Sequence, residues 1–240
     1  MAGIIVVLII SWLLLWFVTD RNLSILGFKP TKTRVVNLGA GLLIGVSCCI
    51  VHQIMTTAFV NNSWVLNEKM NGTAILERTK WILVSVLSEE LIFRGALLYI
   101  TIKKIGIIPA CILSSICFGI YHWFTFNVFG NPFMMVITFI MTAIVGFSWA
   151  LSFAKTNSLY LPIGLHFGWN LFYIVVFSNN AAGQAIFIRT NENQLQGLSS
   201  LLVFIFQIIA LPLLTFWYLN RCPKKRKLAI DKEEQPSTEG

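Results

Sequence analysis

The chain has 240 residues, of which 56% are apolar and only 12% are charged, about half the charge of an average soluble domain. These figures exclude an ordinary cytosolic globule, a disordered chain, a collagen and a disulfide scaffold. The net charge of +8 does not signal nucleic acid, because the basic residues sit at the ends of hydrophobic stretches, where they face the cytoplasm and anionic headgroups.

Charge-free runs cover 2–19, 35–67, 105–154, 156–188 and 193–220. A bilayer crossing needs about 20 apolar residues, so each run holds one or two helices. Seven spans fit: 2–18, 35–60, 81–102, 107–128, 133–154, 157–178 and 197–220. The expected fold is therefore an all-α polytopic transmembrane bundle, with an eighth crossing or re-entrant piece left open in 61–80. The first span has no basic residue before it and no small-residue cleavage motif after it, so a retained helix is expected rather than a signal peptide. Gly130-Asn131-Pro132 divides the longest run as a turn. Cys48, Cys49, Cys111 and Cys117 fall inside apolar spans and act there as small hydrophobes, while Cys222 follows the last span. No internal repeat is evident.

With the polar tail 221–240 inside and seven crossings, thirteen Lys and Arg residues face the cytoplasm and four face outward. That bias predicts an outside N-terminus and a cytoplasmic, disordered C-terminal tail.

Ionisable residues within the spans are costly and therefore informative. They are His52, Glu89, Glu90, Arg94, His122 and His166, with Asn170 one turn beyond His166. Glu90 and Arg94 are i, i+4 and can pair on one helix face. Glu89 is rotated about 100° from Glu90 and can address another helix, where a carboxylate in a dry site takes and returns a proton. Taken singly, a Glu-Arg pair or one histidine is helix glue. Two carboxylates, an arginine, two histidines and an asparagine on three helices instead supply a general base and oxyanion donors, the equipment for amide hydrolysis. His52 has no surrounding motif and reads as a packing residue. By rise per residue, Glu89 should lie about 12 Å below the Trp81 end of its span, so water must reach it through a cavity.

Glu89-Glu90-Leu-Ile-Phe-Arg94 reads as E-E-x-x-x-R, Phe118-Gly-Ile-Tyr-His122 as F-x-x-x-H, and His166-Phe-Gly-Trp-Asn170 as H-x-x-x-N. In that order, on separate hydrophobic helices, they resemble the CPBP family over about 80–175. This family holds type II CAAX prenyl endopeptidases and bacteriocin-processing or immunity proteins, and is also called ABI. The resemblance implies an intramembrane endopeptidase, its catalytic bundle at 80–178, preceded by N-terminal membrane helices at 1–80 and followed by a last helix within 179–220. It implies water activated by Glu89 with His122, Glu90 held by Arg94, and an oxyanion stabilised by His166 and Asn170, with Phe118 packed behind.

No cofactor is favoured, although Glu89, His122 and His166 could in principle form a zinc set; the metal-free glutamic route is preferred because a zinc site would not require the oxyanion donor Asn170. The expected partners are a membrane-associated peptide or lipidated protein substrate and the lipid bilayer, and the short chain looks more like bacterial peptide-processing relatives in a cell membrane. Two other classes remain. A proton-coupled transporter would use the same Glu/His chemistry but predicts broken helices and a paired repeat, and a non-catalytic immunity protein would keep its phenotype when the site is substituted.

Overall fold

The computed structural model describes residues 2–177 and 184–221. Among the described residues eight α-helices follow one another: α1 Ala2–Thr19, α2 Lys32–Phe59, α3 Gly72–Arg94, α4 Ala96–Ile105, α5 Ile107–Thr125, α6 Pro132–Thr156, α7 Tyr160–Asn170 and α8 Gly197–Arg221. A 3-10 turn, Leu23–Leu26, lies between α1 and α2, and a π-helical turn, Leu171–Val176, prolongs α7. The protein is an all-α membrane bundle. By length and composition α2, α5, α6 and α8 can each cross a bilayer, and Gly3–Thr19 and Tyr160–Val176 form shorter apolar helices.

The perimeter is apolar and the interior holds the polar groups. Phe17, Phe133 and Leu43 are exposed, whereas Glu90, Arg94, Ser148, Ser152 and Thr215 are fully buried. In lipid, side chains gain nothing by hiding hydrocarbon, so polar and small residues collect where helices touch. The serines and threonines are satisfied within their own helices: Ser152 Oγ donates to Trp149 O and Thr215 Oγ1 to Leu211 O, each at 2.8 Å.

Local chemistry sets the helix ends. The side chains of Thr31, Asn71 and Asn131 accept hydrogen bonds from the first-turn amides of α2, α3 and α6, and Pro132 supplies the preset φ that suits the first turn of α6. The helix stops at Asn157, held in the left-handed region at φ 50°. One sequence expectation is corrected. The stretch 81–102 is not a single continuous rod, because the chain breaks at Gly95 (φ −85°, ψ −132°) between α3 and α4. α3 also begins earlier, at Gly72, and the segment 61–71 holds a turn and a short strand, β1 (Trp64–Leu66). That strand pairs antiparallel with β2 (Phe187–Arg189), Val65 opposite Ile188. Composition gave no sign of this two-stranded clasp. The tail expected to be disordered and Cys222 lie outside the described residues.

Among the described helices the most extensive contact joins α2 to α7, and it is built from glycine. Gly41 and Gly45 on α2 face Gly164 and Gly168 on α7, a four-residue spacing on both partners. A Cβ on Gly45 would lie 2.5 Å from Leu165 O, and one on Gly164 would lie 2.5 Å from Leu38 O. Backbone therefore touches backbone, which only glycine permits. His166 lies between the two glycines of α7, so this contact fixes the histidine's height and rotation.

Candidate functional site

Glu89 comes from α3, His122 from α5, and His166 and Asn170 from α7. All four line one cavity of about 270 Å³. Glu89 Oε1 accepts a hydrogen bond from Ser85 Oγ at 3.1 Å, one turn earlier on the same helix. Glu89 Oε2 has no hydrogen-bond partner in the protein. It faces His122 Nε2 at 4.0 Å and His166 Nε2 at 3.9 Å. These separations are too long for direct hydrogen bonds and suit a bridging water.

Each imidazole is oriented through its other nitrogen. His122 Nδ1 donates to Phe118 O at 2.8 Å, so in the neutral ring Nε2 carries the lone pair. His166 Nδ1 donates to Glu90 Oε1, also at 2.8 Å. Trp149 stacks on the His166 ring with centroids 4.2 Å apart and planes inclined by 24°. A ring gripped by one hydrogen bond and one aromatic face has little rotational freedom left.

Glu90 and Arg94 stand behind the cavity and do not line it. Arg94 Nη1 donates to Glu90 Oε1 at 3.3 Å, and Nη2 donates to Gly146 O at 3.4 Å. The guanidinium also lies 4.0 Å from the centroid of Phe118 and 5.2 Å from that of Trp149. A Cβ on Gly146 would lie 2.8 Å from Phe118 and 3.2 Å from Arg94, so the absent side chain leaves room for both. Phe118 has two faces of use: it covers Arg94, and it forms part of the cavity wall beside His122.

The structure thus gathers the six residues singled out in the sequence into one cluster with two layers, four at the cavity and two behind. His52 is separate. It is buried against Trp169 and Tyr173, with ring centroids at 5.5 and 5.9 Å, and it does not line this cavity. Sequence reasoning missed Ser85, Thr142, Trp149, Tyr173 and Gln207 as lining residues. Ser85 had a readable signal, its i, i+4 spacing to Glu89; Trp149 and Gln207 had none, because both come from helices without a motif.

Zinc was the alternative occupant. A tetrahedral site with bonds near 2.1 Å sets its ligand atoms ~3.4 Å apart. The spacings of 3.9 and 4.0 Å from Glu89 Oε2 are wider than that edge, so these three side chains, as placed, do not fit a tetrahedral ion.

Residues 73–172 match the family model described as type II CAAX prenyl endopeptidase Rce1-like. Over that segment, about two fifths of the chain, the sequence is similar to this family. The Rce1-like segment runs from the first turn of α3 into the π-helical turn after α7, and it contains every one of the six clustered residues. The similarity is to a family of proteases and agrees with an integral membrane location. No curated protein and no solved structure matches the chain.

Proposed function

We propose that the protein is an intramembrane endopeptidase that hydrolyses a peptide bond of a membrane-associated substrate by a metal-free, glutamate-dependent route. One observation carries the reading: the unpartnered Oε2 of Glu89 faces two oriented imidazoles across a cavity inside an apolar bundle. A buried carboxylate oxygen without a donor is costly as a structural element, and its position suits a water that donates to it.

The water gives one hydrogen to Glu89 Oε2 and the other to His122 Nε2, which turns an oxygen lone pair toward the cavity. That lone pair attacks the scissile carbonyl carbon while Glu89 takes the proton. His166 Nε2–H and the Asn170 amide donate to the carbonyl oxygen as it becomes negative. Glu89 then returns the proton to the amine as the C–N bond breaks, leaving a carboxyl and an amino terminus. Glu90 with Arg94 forms an ion pair beneath His166 and holds its Nδ1, so that Nε2 is turned to the cavity. The spacing that does not fit tetrahedral zinc also supports the metal-free route.

The Rce1-like match favours a lipidated, CAAX-type tail as substrate, with an unlipidated hydrophobic peptide as the alternative. The deciding experiment places the purified protein in nanodiscs with two peptide sets, one carrying a farnesylated CAAX tail and one unlipidated and hydrophobic. Mass spectrometry should detect a new pair of termini in at least one set with the wild-type chain and none with Glu89→Gln. Equal cleavage by the two chains would remove the assignment.

A further inference from the structure

A second cavity, of about 340 Å³, lies beside the first. The two share Tyr173 and Gln207 as wall residues. The second is polar: His52, Thr56, Arg189, Glu192, Gln194 and Ser200 all contribute to it. His52 stands at the junction. It is only 6% exposed, its Nδ1 has no hydrogen-bond partner in the protein, and its side chain hydrogen-bonds Gln207. A packing histidine should not leave a ring nitrogen unsatisfied, whereas one beside a water-filled passage can.

The cavity also has a definite end of the bundle. It is lined by the last turns of α2, by the first turns of α8 and by the segment following β2. There Asn62 Oδ1 accepts hydrogen bonds from the amides of Thr190 and Asn191, tying the two loops together. Non-helical backbone at such a place is tolerated where it borders water. This end of the bundle carries Lys69, Arg78, Lys80 and Arg189, in the loop before α3, the first turns of α3 and β2, while eight of the described Lys and Arg residues lie at the opposite end. By that asymmetry the cavity faces away from the cytoplasm.

We propose that this second cavity is the aqueous entry to the site on the non-cytoplasmic face. It takes up the hydrophilic part of a polypeptide substrate and passes it, with water, between His52, Gln207 and Tyr173 toward Glu89. The uptake of peptide rests on the hydrolase reading above; the route and its sidedness do not. Substrate is then a polypeptide presented at the outer surface, and its apolar portion remains among the helices.

The test uses single cysteines and a membrane-impermeant cationic methanethiosulfonate, read as an added mass on the intact protein. Ser200→Cys reports the second cavity and Thr142→Cys the first, with the wild-type chain controlling for its own cysteines. Both variants should label in right-side-out vesicles and fail to label in inverted ones. Adding Gln207→Trp at the junction should suppress labelling of Thr142→Cys and leave that of Ser200→Cys intact. Labelled Ser200→Cys protein should lose cleavage of a peptide that the unlabelled variant cuts. Labelling confined to inverted vesicles, or a Thr142→Cys rate indifferent to Gln207→Trp, overturns the route. Unimpaired cleavage after Ser200→Cys labelling overturns the uptake. A wild-type chain that cuts nothing counts against the hydrolase reading and the uptake, with the labelling pattern still deciding the route.

Discussion

His166 Nδ1 and Glu90 Oε1 are 2.8 Å apart, joined across a gap of 76 residues in sequence between two helices. The same carboxylate oxygen receives Arg94 Nη1 at 3.3 Å. One oxygen therefore links the arginine that is buried deepest to the ring that faces the cavity, and the position of His166 depends on a pair that never reaches the cavity itself.

Glu89→Gln is expected to abolish hydrolysis and leave the fold intact. The amide keeps the shape and can still accept from Ser85, but it cannot take a proton. General-base removal costs roughly 10² to 10⁴-fold in rate. Cleavage assays beside thermal melting in detergent check this, and a melting point far below wild type would show that Glu89 is structural.

Arg94→Met should lower stability as well as activity, by about 3–5 kcal/mol, because it strands the buried Glu90 carboxylate. The double substitution Glu90→Gln with Arg94→Met should recover much of that stability without recovering activity. Melting curves of the three variants measure both effects. If the double variant were no more stable than Arg94→Met, Glu90 would not be the charge that Arg94 serves.

Gly45→Val and Gly164→Val should each weaken or abolish folding, since the new side chains would meet backbone 2.5 Å away before any rotamer is chosen. Gly39→Val is the control, because nothing lies within 4 Å of its Cβ position. Yield of monodisperse protein after extraction separates the three. Normal yield from Gly45→Val would mean that α2 and α7 do not touch through backbone.

Activity should survive phenanthroline and EDTA. Loss that is restored by added zinc would show that Glu89, His122 and His166 close to a spacing tighter than 3.9–4.0 Å when an ion binds.

Much of the site was legible in advance because intramembrane charge is so costly that few positions carry it. Glu90 and Arg94 declared their pairing by spacing alone, since four residues make one helical turn whatever surrounds them. The glycines of α2 and α7 have matching four-residue spacing, but nothing in either run says which helix is its partner. The break at Gly95 was hidden for a different reason. Hydropathy averages over a window, and 81–102 stays apolar on both sides of one residue whose backbone turns.

The linear order of residues determined that the chain lives in a membrane, which groups are too polar to face lipid, and which of them share a helix face, because these follow from transfer cost and helical pitch. Tertiary structure alone decided that Glu89 meets His122 and His166 at one cavity, that Trp149 and Phe118 clamp the cluster, and that a second cavity adjoins it at Gln207. Distances between helices depend on how closely their backbones approach, and that is set by facing pairs such as Gly45 and Leu165, which lie far apart along the chain.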